Sequence, residues 1–262
     1  MIGPFTKPRY GPKPRPRRLL KERNVTIAVG LRCNDGVVLA ADSQQTISGY
    51  MKQDEGKIDT CFMGDFVVAV AGAGTTDYIQ TAVDAITRRG LEFTSLLQLE
   101  IVLRDKLLEF FDRHLLRWSN FHESERPMVE LLIAVTGKRK RQYHGLFHYA
   151  GTSFHQVHEK AIGAGMLLAN SLISEHVHGP QTLNELRSLI VYILCKVKKQ
   201  VDTCGGYTDL VILERGGHVA FTNSAEIGQL EHIYEALEKE TSDKLRASIV
   251  EQKLPDLMWL NK

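Results

Sequence analysis

The sequence predicts an α+β fold, a four-layer αββα sandwich in which two antiparallel sheets face each other and helices cover the outside. Three observations carry this. Strand-type segments arrive as consecutive hairpins and do not alternate one for one with helices, which excludes a doubly wound parallel sheet. Amphipathic helical segments come in pairs after each of the first two runs of strands. The 262 residues, 43% apolar and 24% charged, suffice to bury the core of such a sandwich.

The first strand-type run is Val25 to Cys33. Asn34-Asp35-Gly36 is a short-hairpin signal, and GVVLAAD, ending at Asp42, is the return strand. Its unbroken apolar character suits a strand covered on both faces. After the polar QQTISGYMKQDEG, a third strand starts at Lys57, turns at Gly64-Asp65, and a fourth runs from Phe66 to Ala71. These four runs read as one antiparallel sheet of sequential hairpins.

Thr75 or Thr76 can cap a helix with apolar residues at Tyr78, Ile79, Ala82, Val83 and Ile86, stopped by Gly90. Thr94 or Ser95 opens a longer helix that keeps helical spacing through Trp118. MVELLIAV, YHGLFHYA and HQVHE return to strand character, with the basic run Lys138 to Arg141 as a solvated turn. Residues 166–176 and 182–200 are two further amphipathic helices, split by His178-Gly179-Pro180. YTDLVIL and HVAFTN pair around Arg215-Gly216-Gly217, and residues 224–250 form a charged final helix.

The domain organisation is uneven in charge. Residues 1–24 hold eight Lys/Arg, one Glu and five of the eight prolines. Their net charge of +7 leaves −5 for the rest of a chain whose total is +2. Such a segment buries too little apolar surface to order itself, so it reads as a basic, Pro-rich extension or pro-segment before one domain at 25–262. A basic run of this kind is a solvated leader more often than a nucleic-acid patch, and nucleic acid is not expected as a partner. No apolar run reaches the about 20 residues of a membrane span, and no apolar stretch follows the basic start as a secretory signal requires. Cys33, Cys61, Cys195 and Cys204 are scattered without C-x-x-C pairing, as expected of reduced thiols in the cytoplasm. His144 and His148 would share one face of a strand, but without acidic or Cys partners at ligand spacing they read as surface histidines, not a metal site. Nucleophile-elbow, phosphate-loop and zinc-protease motifs are lacking, and no cofactor is expected.

The chemistry concentrates in Thr26, Asp42, Lys57 and Gly72. A threonine hydroxyl needs a base to become a nucleophile. At the start of a mature chain its own α-amine, titrating near ~8, is that base. A lysine ammonium beside it favours the alkoxide, and an aspartate holds that lysine's charge and orientation. A glycine N–H can then stabilise the oxyanion.

The run from Thr26 to Ser43 resembles the start of proteasome subunits and of the related bacterial peptidase ring partnered by an unfoldase, N-terminal-nucleophile hydrolases of αββα architecture. The match from Thr26 through GVVLAADS needs no gap. Lys57 in GKI falls at the family's catalytic lysine after a one-residue shortening. Thr46 and Gly49 resemble its substrate-binding threonine and following glycine, Val70-Ala71-Gly72 its oxyanion segment, and Ala161 to Gly165 its G-S-G-S helix start. The resemblance spans residues 25 to about 215 and implies a threonine endopeptidase acting on peptide substrates. It also implies self-assembly into a ring, with an ATP-dependent unfoldase as a possible partner, and no membrane.

Four departures stand against this pattern. Val25 precedes the threonine where self-processing members carry glycine, and Ala164 replaces the serine that hydrogen-bonds the threonine amine. In Val201-Asp202-Thr203-Cys204-Gly205-Gly206 the supporting Asp202 comes one position late and Cys204 replaces a serine. Two readings follow: a peptidase activated by removal of residues 1–25, or a catalytically inactive structural subunit that keeps its tail.

Overall fold

A computed structural model describes residues 27–47, 51–87, 93, 95–122, 126–138, 143–179 and 181–251. The basic extension and Val25–Thr26 lie outside the described residues.

Strands β1 (Ile27–Cys33) and β2 (Gly36–Asp42) form the expected hairpin, with Ala28 opposite Ala41. Strands β3 (Gln44–Ile47) and β4 (Met51–Asp54) make a small separate hairpin from the polar stretch. Strands β5 (Ile58–Met63) and β6 (Phe66–Gly74) form the next, followed by helices α1 (Thr76–Thr87) and α2 (Leu96–Phe110). Strands β7 (Val129–Gly137), β8 (His144–Ala150), β9 (Ser153–Val157) and β10 (Glu159–Gly163) precede helices α3 (Met166–His176) and α4 (Leu183–Gln200). Strands β11 (Thr208–Glu214) and β12 (Val219–Phe221) and helix α5 (Ser224–Glu251) complete the order.

Two five-stranded antiparallel sheets result, ordered β10-β1-β2-β11-β12 and β5-β6-β7-β8-β9. This corrects the single sheet expected from the first four runs. Hairpin signals decide that β1 joins β2 and β5 joins β6, but β2 and β6 are apolar on both faces and each takes a distant second neighbour. β2 pairs with β11 and β6 with β7. The β3–β4 hairpin stands between the two sheets in the chain.

Period-two alternation builds the layers. Val37, Leu39 and Ala41 of β2 and Val67, Ala69 and Ala71 of β6 fill the space between the sheets. Val38 and Ala40 face helices α3, α4 and α5, while Phe66, Val68 and Val70 face α1 and α2. The four-layer αββα sandwich is therefore present. The alanines at the sheet–sheet interface let the two backbones approach, and each larger aliphatic chain buried there contributes about 1.5–3 kcal/mol.

Helix ends follow their capping residues. Ser95 caps α2 by accepting from Gln98 N, and Thr182 with Glu185 forms a capping box on α4. The helical spacing through Trp118 holds with altered winding: α2 passes into a π-helical turn at Phe111–Leu115 and a 3-10 turn at Leu116–Trp118.

The histidines differ from expectation. On β8, His144 and His148 share a face with Leu146, which lies in the sheet–sheet core, so both are buried at 7% exposure. The His144 Nε2 lies 2.7 Å from the Cys33 carbonyl. Strand periodicity, which placed them on one face, did not say that this face turns inward. Among the described residues no helix is long and apolar enough to cross a membrane.

Candidate active site

Asp42 ends β2 at the edge of the sandwich, with its side chain fully buried. A buried carboxylate needs partners on both oxygens, and Asp42 has them. Oδ1 accepts from Lys57 Nζ at 2.9 Å and from the backbone N–H of Ile27 at 3.2 Å, and Oδ2 accepts from Gly205 N at 2.9 Å. Ile27 follows Thr26 directly in the chain, so the carboxylate anchors the first described residue of β1. Burial pushes the Asp42 carboxyl up from its ordinary value, against the opposing pull of the Lys57 ammonium and the Gly205 and Ile27 amides.

Lys57 lies just before β5, in the second sheet's territory, yet its ammonium reaches the end of β2. Besides Asp42 it donates to the Gln44 carbonyl at 2.5 Å, and its side chain is only 13% exposed. Its backbone is held as well. The N–H groups of Lys57 and Ile58 both donate to Asp209 Oδ2, each at 3.2 Å.

The segment after α4 closes over this pair. Gln44 N donates to the Gly205 carbonyl and Ser43 N to the Tyr207 carbonyl. Gly206 is in the left-handed region at φ +72°, and a β-carbon there would lie 2.2 Å from Ser43 Oγ and 2.3 Å from Asp54 Oδ1. Only glycine fits such an approach. Cys204 is buried at 4% exposure. Its thiol is pushed up to about 12, first by burial and then by Asp42, with Lys57 opposing, so it is a neutral thiol at physiological pH.

Gly72 sits near the end of β6. The β5–β6 ladder closes with Ile58 opposite Ala71, the residue before Gly72. A β-carbon at Gly72 would lie 2.3 Å from Ile79 Cγ2 of α1, so the glycine also lets α1 pack onto the strand. Thr46 is in β3, opposite Lys52 and two residues after the Gln44 that holds Lys57. Asp202 is exposed in the turn after α4. Thr26 and Gly49 lie outside the described residues.

The structure thus brings Asp42 and Lys57 into contact, while Gly72 lies one residue past Ala71, which faces Ile58 in the last pair of the β5–β6 ladder. It adds the Gln44 carbonyl and Asp209, which the sequence had not singled out, and gives Gly205 of the quoted glycine pair a contact with Asp42. For Asp209 a signal existed: it is the one acidic residue inside the apolar run TDLVIL. Among the described residues no group of three or more His, Cys, Asp or Glu side chains could hold a metal.

Comparison with known proteins identifies the fold and the family. Anbu from Hyphomicrobium sp. strain MC1, solved as a Gly-1 mutant, superposes with a TM-score of 0.66 at 18% identity, covering 84% of this chain and 99% of its own. Anbu from Yersinia bercovieri, described as an ancestral β-subunit, gives 0.63 at 18% identity over 88% of this chain and 99% of its own. The helical assembly of Anbu from Pseudomonas aeruginosa gives 0.66 at 14% identity over 83% and 96%. These likenesses establish the shared fold. In sequence, the chain is 24% identical over 193 residues to a proteasome subunit beta of Methanosarcina barkeri, covering 72% of this chain and 86% of that protein. The sequence model of the family described as proteasome subunit matches residues 23–213. This chain belongs to the proteasome subunit family.

Proposed function

We propose that this proteasome-family subunit is a threonine-type endopeptidase that hydrolyses peptide bonds within an oligomeric ring after residues 1–25 are removed. The supporting observation is the buried Asp42–Lys57 pair, whose aspartate also holds the N–H of the residue after Thr26. In this reading Thr26 Oγ attacks the scissile carbonyl, and the freed α-amine takes its proton and passes it to the leaving amine. Water then hydrolyses the ester and regenerates the hydroxyl. Lys57 stabilises the alkoxide electrostatically, Asp42 keeps the ammonium in place, and the Gly72 N–H receives the oxyanion. Thr46 aligns the peptide, and Asp202 supports the amine. The basic extension 1–24 is the removable pro-segment of a domain spanning 25–262. Self-assembly is supported by the family and by the helical assembly of the Pseudomonas relative. An ATP-dependent unfoldase would supply unfolded chains to this assembly in the cytoplasm.

A second reading, a non-catalytic structural subunit that retains its tail, draws on Cys204. A buried neutral thiol is a weaker hydrogen-bond donor than the serine hydroxyl this family carries there. Intact mass of the purified assembly, with hydrolysis of a fluorogenic peptide, decides between them. The peptidase reading expects a chain starting at Thr26 and loss of both processing and hydrolysis in Thr26→Ala. A full-length wild-type chain in the assembled protein overturns it.

A further inference from the structure

Asp209 is an acidic residue inside an apolar strand, and the chemistry assigned above leaves it unused. Its neighbours in β11, from Leu210 to Leu213, are buried. Alternation puts Asp209 on the same face as Val211 and Leu213, which belong to the core between the sheets. The β11–β2 ladder pairs Thr208 with Asp42 and Asp209 with Ala41, so this carboxylate points between the sheets at the end where the candidate site lies. There a single oxygen, Oδ2, accepts the consecutive N–H groups of Lys57 and Ile58.

We propose that Asp209 is a positioning residue for Lys57, resting on the peptidase reading above. A lysine stem is flexible, and its ammonium could meet Asp42 from more than one backbone position. Here it is fastened at both ends: the ammonium by Asp42 and the Gln44 carbonyl, the backbone by Asp209. The strand ladder cannot do this alone, because its first pair is Ile58 with Ala71, one residue past the lysine. Asp209 belongs to the first sheet and the amides it holds lead into the second. The contact therefore also sets the distance between the sheet that carries Asp42 and the segment that carries Lys57. Hydrogen bonds to an ionised acceptor are about twice as strong as neutral ones, which favours a carboxylate over an amide in this place. Alignment matters because a misplacement of about 1 Å at a reacting group can cost about 100-fold in rate.

The test uses Asp209→Ala and Asp209→Asn in the full chain, with three readouts. These are steady-state hydrolysis of a fluorogenic peptide, hydrogen exchange at the Lys57 and Ile58 amides, and trace acetylation of the Lys57 amine. In Asp209→Ala, kcat should fall about 30-fold with KM changed by less than about two-fold, as expected when an aligned catalytic group is loosened without loss of substrate binding. The two amides should exchange about ten-fold faster, in line with loss of a charge-assisted acceptor, and Lys57 should acetylate faster. Asp209→Asn keeps a weaker, neutral acceptor of the same shape, so its kcat, amide exchange and acetylation should fall measurably between those of Asp209→Ala and wild type. It also carries the test if the alanine variant does not fold. Exchange and acetylation equal to wild type in a folded variant would overturn the proposal, as would loss of both with kcat unchanged. A wild-type protein that hydrolyses no peptide would remove the peptidase reading, while the exchange and acetylation arms still decide whether Asp209 anchors Lys57.

Discussion

Lys57 Nζ lies 2.9 Å from Asp42 Oδ1, and the two residues belong to opposite halves of the sandwich. Asp42 closes the central strand of the first sheet, and Lys57 leads into an edge strand of the second. The pair is thus a product of sheet stacking, and its carboxylate has no access to water.

Removing one partner should cost more than removing both. Lys57→Met leaves a buried carboxylate without its countercharge and should destabilise the protein by about 3–5 kcal/mol. Adding Asp42→Asn to the same chain should restore a large part of that loss. Urea unfolding of the two singles and the double checks this; strictly additive losses would show that the two charges are not coupled.

Gly72→Ala should lower stability through α1, not through the site. Its β-carbon would meet Ile79 Cγ2 at 2.3 Å, and overpacking of this kind costs about 1–3 kcal/mol. Ile79→Ala in the same chain opens the space and should recover most of the melting temperature. If the double variant melts no higher than Gly72→Ala alone, the contact with α1 is not the cause.

Thiol reagents should leave the candidate nucleophile's chemistry untouched. Cys204 is buried with its thiol pushed up to about 12, whereas Cys33 and Cys61 are partly exposed. Native alkylation with iodoacetamide should modify Cys204 only after unfolding, with peptide hydrolysis unchanged. Mass spectrometry that finds Cys204 alkylated in the folded protein would contradict this burial.

His148 should make the fold acid-sensitive. Burial, helped by Lys160 and His155, pushes its ring down to about 4 from an ordinary 6.5, and neither ring nitrogen has a hydrogen-bond partner among the described residues. Above the ordinary value both folded and unfolded chains are neutral there. Between 6.5 and about 4 only the unfolded chain binds the proton, so stability falls as pH falls. Below about 4 both states are protonated and this contribution levels off. The total loss is about 3 kcal/mol by linkage. His148→Phe should remove most of the slope in urea unfolding between those limits, with His144, also pushed down by burial, leaving a residue of it. An unchanged slope in the variant would show that His148 is not the group responsible.

Much of the fold was legible before the structure. Asn34-Asp35-Gly36 and Gly64-Asp65 mark real hairpins, Ser95 is a real helix cap, and Asp42 and Lys57 lie in contact. These are local signals, set by backbone preference and by residues within a turn or two of one another. The split of HQVHE into β9 and β10 was missed because a short polar edge segment has little periodicity to read.

The sequence by itself determined the apolar strands, the β1–β2 and β5–β6 hairpins and the helix pairs, because each depends on spacing along the chain, but not the β3–β4 hairpin, whose polar residues carry no strand pattern. Tertiary structure decided which sheet each hairpin joins, that His144 and His148 face inward, and that Asp209 and Gly205 close around Lys57 and Asp42. Those outcomes depend on which apolar faces bury one another at long range, across more than 150 residues of chain for the Asp209 and Gly205 contacts. Burial is non-directional and summed over the whole interface, so no local pattern specifies it.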